Sequence, residues 1–291
     1  MSWRATARAE VRALRAAAVV RGLLAVAALT GVAAVTLPAI AIGTELTAEG
    51  ALPFLVAPLK LLVGAAGLLL GHGAVAGPRS GGQLKLALGL PIDRRAFVLG
   101  TYLGRAAATL LVGVVALAAA AVAMWVLLGA VAMRGLVGLS GALAPFGVAV
   151  AAVGVGLSAA SRGRGAAAVA AVGALVLFQF FWGVVPAGAH YLVEGSLPGP
   201  AAPPWIVFLE RAQPFAAFEV AAEHAVPEAG RGVRLSGAGA SAGDTPSTGP
   251  GAPLAGSQRW YLEPRVAVAL LVGWTVLPLV IGAERFRRTD L

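Results

Sequence analysis

The chain has no cysteine, two lysines and three histidines among its 291 residues. Without cysteine there are no disulfides and no thiolate metal sites. The two lysines, Lys60 and Lys85, are each followed by leucine. A phosphate-binding loop needs a glycine-rich turn ending in Gly-Lys-Ser/Thr, whose amides and lysine hold the phosphates. The chain therefore has no nucleotide loop of that kind. His72, His190 and His224 lie in three separate segments, and no HExxH occurs, so no metal is expected. His72, between Gly71 and Gly73, reads as an interfacial residue. No nucleophile, base and carboxylate are placed to meet on one side of a membrane, so no catalytic residue and no cofactor are assigned.

Charge is also scarce. The chain is 12% charged and 59% hydrophobic, against about 25% and about 45–50% in a soluble domain. The apolar excess falls in runs of about 20 residues, the length that crosses a hydrocarbon core about 30 Å thick. Six spans are read, at 22–43, 53–76, 106–130, 136–160, 165–189 and 266–283. The fold class is an all-α membrane protein, one transmembrane domain over 1–291. The first run is too long for the apolar part of a cleaved signal peptide, and more spans follow it. None of the 13 acids sits centrally in a span, which argues against a carrier driven through acidic relays. Lys60 lies in span two about two turns from its outer end, where its long side chain is expected to snorkel to the interface.

The charge that is present has a direction. With the N-terminus cytoplasmic and the spans alternating, the inner side holds fifteen basic and four acidic residues; the outer side holds the other seven basic and nine acidic. Lys and Arg concentrate in cytoplasmic loops, so both termini belong inside. The basic residues border spans without an interleaved aromatic stacking surface, so nucleic acid is not a partner. Holding the inner face against anionic lipid accounts for most of them, and the lipid bilayer is a partner.

Two segments beside the membrane carry more pattern than that role needs. In residues 1–21, Trp3, Ala7, Val11 and Leu14 recur at helical spacing, with Arg4, Arg8, Arg12 and Arg15 one position over. This predicts an amphipathic helix lying in the interface plane with its tryptophan down, either a topology anchor or a docking element. Residues 77–105 form the second segment. Gly77, Pro78, Gly81 and Gly82 break the chain, Gln83 to Leu90 forms a short apolar-rich helix, and Pro91 stops it. Asp93 is placed to cap a new helix that starts at Arg94-Arg95 and becomes span three. Gly100 and Gly104, four apart, would let that helix pack closely on a neighbour. So much defined geometry favours a docking element over an inert loop. On the outer side, 190–264 is the one long extramembrane region. Its part Trp205 to Val226, split by Pro214, is expected to lie along the outer leaflet on Phe215, Phe218 and Ala222. Residues 228–258 read as a flexible Gly-, Ser-, Ala- and Pro-rich linker.

Together these pieces resemble the permease subunits of type-2 ABC transporters, the ABC-2 family, and within it the branch that includes the permease for nitrous-oxide-reductase and copper-site maturation. The matching features are the Trp3/Arg4–Arg15 helix, the motif Gly77-Pro78-Arg79-Ser80-Gly81-Gly82…Leu84-Lys85…Leu90-Pro91…Arg94-Arg95…Gly100…Gly104-Arg105, the long outer loop before span six, and the ending Glu284-Arg285-Phe286-Arg287-Arg288-Thr289-Asp290-Leu291. At Gly77-Pro78-Arg79 many relatives carry Gly-Glu-Arg, so the sequence departs from the family's acidic pattern there.

The resemblance implies six transmembrane helices working as a homodimer, or with a paralogous permease partner, beside two separate ABC ATPase subunits in the plasma membrane of a prokaryote. It makes Gln83, Leu84, Lys85, Leu86, Leu88 and Leu90 the coupling helix, flanked by Arg79, Arg94 and Arg95. It also assigns Trp3, Arg4, Arg8, Val11, Arg12, Leu14 and Arg15 to an interface helix gripped by the same ATPase. The expected function is the permease of an ATP-driven transporter, an exporter, with ATP hydrolysed by the partner chain. A membrane anchor or assembly factor without a transport cycle is the alternative class. A membrane enzyme ranks below both, for want of a catalytic constellation.

Overall fold

Backbone that crosses lipid must satisfy its own hydrogen bonds, and here it does so as helix. The structure is a computed structural model that describes residues 3–43, 46–80, 94–198, 203–226 and 263–288. Its elements are α1 (Trp3–Ala16), α2 (Ala18–Ile42), the single turn α3 (Ala48–Ala51), α4 (Pro53–His72), the short α5 (Ala76–Ser80), α6 (Arg94–Leu128), α7 (Met133–Ala160), α8 (Arg164–Val176), α9 (Val184–Glu194), α10 (Pro204–Arg211), α11 (Pro214–Ala225) and α12 (Pro264–Arg287). No strand occurs among the described residues. Proline opens α4, α10, α11 and α12, where its missing N–H costs no helical bond. α8 widens into a π-helical turn at Leu177–Phe181. Gly195 closes α9 at φ 70°, a left-handed backbone that glycine adopts without a Cβ penalty.

Among the described residues, six helical stretches are long and apolar enough to cross a membrane: Ala18–Ile42, Ala48–Pro78, Arg95–Leu128, Met133–Ala160, Arg164–Phe181 and Arg265–Arg287. The all-helical, six-span class read from the sequence is therefore the observed one. α4 and α7 form the centre, with 61% of each apolar window buried, and α8 lies at the edge with 11%. In lipid the helices gain little from hydrophobicity and associate through close packing of small residues. α4 and α7 cross at Gly67, Gly71 and Gly154, where a Cβ added to Gly71 would fall 2.6 Å from the Gly154 carbonyl carbon. Gly156 on α7 meets Pro278 and Gly282 on α12 backbone to backbone, and Gly31 on α2 meets the Ala116 backbone of α6 in the same way.

The segment read from the sequence as external departs from expectation. α11 does not lie along the leaflet but packs into the bundle against α7, α12 and α4. Phe215 and Phe218 are almost wholly buried, with ring centroids 5.2 Å and 4.9 Å from Phe146. The physical reason lies on α4, where Gly64 has no Cβ and the Phe215 ring occupies the space one would fill. Two indoles hold the insert. Trp182 donates to the Leu209 carbonyl at 3.0 Å, and Trp274 donates to the Ala212 carbonyl at 2.6 Å. Both carbonyls lie at the C-terminal end of α10, where Leu209 also accepts from the Ala212 N–H. Gln213 caps α11 by accepting from the Phe215 N–H at 2.8 Å. Lys60 does not snorkel: its Nζ pairs with the Glu219 carboxylate on α11.

Candidate coupling face

At about 1.5 Å per residue, a helix of the length of α6 runs to about 50 Å, well beyond a hydrocarbon core of about 30 Å. Its 35 residues therefore cannot all lie in lipid. The surplus at the Arg94 end is where α1 docks. Added Cβ atoms at Gly100 and Gly104 would lie 2.6 Å from Thr6 Cβ and 2.6 Å from Glu10 Cβ. The small-residue pair expected to seat a neighbour thus seats α1. The docking edge is the Trp3 backbone, Thr6 and Glu10, which adjoins the Trp3–Ala7–Val11–Leu14 stripe that the sequence pattern emphasises.

An ion pair lies within this seam. Arg105 Nη2 lies 3.2 Å from Glu10 Oε2, and about a fifth of each side chain is exposed. Arg105 Nε is buried without a partner. Burial pushes the Glu10 carboxyl above its usual range, and the neighbouring Arg105 charge offsets this only in part. Sequence reasoning assigns neither residue a role, Arg105 standing there only as the last residue of the 77–105 motif. The available signal was that Glu10 is the single acid in the arginine-rich first helix and that Arg105 directly follows Gly104.

The opposite flank is built by α4, α5, α7 and α12. Where α4 ends, the backbone turns through Gly73–Val75 and leaves amides without helical acceptors. Ser158 Oγ, fully buried on α7, accepts from both Val75 N–H and Ala76 N–H at 3.0 Å. Phe286 of α12 is also fully buried, in a cluster with Val75, Phe97, Val98, Tyr102 and Ala159. Burying such a ring is worth about 2–3 kcal/mol. The two ends of segment 81–93 consequently leave from one packed plate, α5 on one side and the start of α6 on the other. Above it, Glu284 gathers arginines: Arg287 at 2.8 Å, Arg288 at 2.8 Å and Arg95 at 3.7 Å. Three cations on one carboxylate leave the knot net positive.

The residues nominated from the sequence fall into four groups. Trp3, Arg4, Arg8, Arg12, Arg15 and Arg95 are exposed on this face, with the Arg4 guanidinium 5.3 Å from the Trp3 ring centroid. Val11 is partly covered, while Leu14 is buried against Val20, Leu70 and Ala108. Arg79 stands in α5 and Arg94 opens α6. Gln83, Leu84, Lys85, Leu86, Leu88 and Leu90, together with Asp93, lie outside the described residues. Among the described residues no group of three or more His, Asp or Glu side chains could hold a metal ion.

The arrangement defines a class: a multi-pass helical membrane protein whose first helix is clamped to the projecting end of a long span, beside a basic plate. Residues 26–291 match the family model described as ABC-2 family transporter protein, and the chain belongs to that family. No curated protein matches the chain.

Proposed function

We propose that the chain is the permease subunit of an ATP-driven transporter, energised by a separate ABC ATPase that grips α1 and the segment between α5 and α6. The observation that carries this reading is the clamp of α1 on α6 beside the roots of that segment, in a chain of this family. A force applied to 81–93 or to α1 enters two ends of one packed plate. From there it has rigid routes into the bundle, through Ser158 to α7, through Phe286 to α12 and through Gly100 and Gly104 to α6. Arg4, Arg8, Arg12 and Arg95 offer an acidic partner surface its counter-charges. Residues Gln83 to Leu90, with Arg79, Lys85, Arg94 and Arg95 at their flanks, act as the coupling helix.

The permease works as a homodimer or beside a paralogous permease, in the plasma membrane of a prokaryote, and moves its cargo outward. The copper-maturation branch rests on the sequence resemblance alone, whose most specific part is the motif 77–105. Three methionines and no cysteine give no copper ligand set, so copper is not proposed as the cargo.

The test is purification of the complex. A Walker-A ATPase is expected to co-purify with the intact chain and to be lost when Leu84–Leu90 is replaced by a Gly-Ser linker. Retained ATPase after that replacement would remove the coupling role from the segment. Orientation has its own measurement, since the natural absence of cysteine makes any introduced thiol a unique label. Arg164→Cys is expected to resist a membrane-impermeant maleimide in intact cells, while Leu197→Cys, on an exposed outer turn, is labelled. The reverse pattern would invert the topology.

A further inference from the structure

Gly100 and Gly104 hold α1 to one end of α6, and Gly31 holds α2 to its middle at Ala116. Between these seams the chain bends at Ala17, whose extended backbone (φ −71°, ψ 128°) interrupts the helix. The two helices diverge there and leave a groove of about 290 Å³ floored by α6. Its apolar lining includes Leu14, Val20, Leu24, Ala108 and Leu111, and its charged lining is Arg15 and Arg21. A second, more open groove of about 450 Å³ shares Val11 and Arg15 with it and continues along α1 past Arg12 and Arg8.

All four arginines are exposed, and none has an acidic partner among the described residues. Glu10, the acid on the same helix, is engaged by Arg105. The groove thus joins an apolar slot, set between a surface helix and a span, to a row of unneutralised guanidiniums. Water serves the slot badly, and a free anion would leave it unfilled. A neutral detergent-like chain would leave the arginines without counter-charge. An amphiphile with a net negative phosphate head satisfies both halves, and basic pockets between helices at the membrane surface suit such headgroups.

We propose that the α1–α2–α6 groove is a binding site for one anionic diacyl phospholipid. Its phosphate is held by Arg15 and Arg21, and one acyl chain lies between α2 and α6. Seated there, the lipid becomes part of the packing that keeps α1 on α6. The inference does not depend on the transport reading, because it concerns only the lipid-facing side of the clamp.

The test is native mass spectrometry of the full chain in neutral detergent. The protein is titrated with dioleoylphosphatidylglycerol or dioleoylphosphatidylcholine, and helicity is checked by circular dichroism. A one-to-one phosphatidylglycerol adduct is expected, at about tenfold higher affinity than phosphatidylcholine. Arg15→Gln/Arg21→Gln should erase that preference. Ala107→Phe, on the exposed lip of the groove, should weaken the adduct about tenfold with every arginine still in place. Equal binding of the two lipids, or an adduct indifferent to either variant, would overturn the site. Displacement by excess glycerol 3-phosphate would reduce it to a free-phosphate site and likewise overturn it. Loss of ATPase co-purification would leave this result untouched.

Discussion

Lys60→Met is expected to destabilise the insertion of α11 into the bundle, by about 2 kcal/mol. That figure is discounted from the roughly 3–5 kcal/mol for stranding one member of a fully buried ion pair. The discount is needed because Glu219 keeps 31% of its side chain exposed, while Lys60 keeps 13%. Removing Lys60 leaves a carboxylate one turn along the same helix face from the buried Phe215, with no second cation paired to it among the described residues. Glu219→Gln strands the ammonium in the same way. The double variant Lys60→Met/Glu219→Met removes both charges and is expected to recover most of the loss, since an apolar pair of similar volume often replaces an ion pair at little cost. Thermal unfolding in detergent, followed by tryptophan fluorescence, reads the effect. Trp182 and Trp274 donate to the carbonyls just before α11, so their emission reports on the insert itself. Additive single losses in the double variant would show that the two charges are not coupled and would remove the pair as the anchor of α11.

That pair also marks where the sequence stops being readable. Spans are legible because a run of about 20 apolar residues has few other uses. The seating of α11 is not legible, because an apolar stripe facing lipid and one facing the bundle have the same composition. Phe215 and Phe218 announced an apolar face but not its direction. Two signals pointed inward: Lys60 within a span needed a partner, and Gly64 opened a hole on the same helix. Neither names α11, since the complementarity exists only once α4 and α11 are side by side. The turn at Gly73–Val75 is a similar case, where breakers are visible in sequence but the acceptor Ser158, 82 and 83 residues further along, is not.

The candidate coupling face was half legible. Gly100 and Gly104 predicted a close neighbour, and the period of α1 predicted an amphipathic helix, yet the pattern drew attention to its apolar stripe. The contact is made by the edge carrying Thr6 and Glu10, because two missing Cβ atoms on α6 let the α1 backbone approach closely enough for Glu10 to reach Arg105. A polar residue at an interface is visible in sequence only when its partner is known, and these two stand 95 positions apart. Ser158 and Phe286, which fix the roots of segment 81–93, escaped for the same reason.

Arg105→Leu should release α1, and Glu10→Gln should not. With Arg105 gone, Glu10 must either lie uncharged against α6 or carry α1 away to water. Near neutral pH the second course is favoured by about 2 kcal/mol, a factor of roughly thirty in the open population. Glu10→Gln keeps the shape and removes the buried charge. Burial dominates over Arg105 in raising the Glu10 pKa, so the neutral side chain docks at least as well as the carboxylate. The same inequality sets the pH dependence. Docking raises the Glu10 pKa above its ordinary 4.5, so the docked state binds more protons than the open one. Its stability is therefore greatest below 4.5 and is lost as pH rises through the raised value. Amide hydrogen exchange across α1, corrected for the intrinsic rate at each pH, measures the opening directly. Protection of α1 should increase from pH 7 to pH 5 in the natural chain, stay flat in Glu10→Gln and collapse at pH 7 in Arg105→Leu. If Glu10→Gln opened α1 as far as Arg105→Leu does, the carboxylate charge itself would be the clamp, and the dominance of burial over pairing would be wrong.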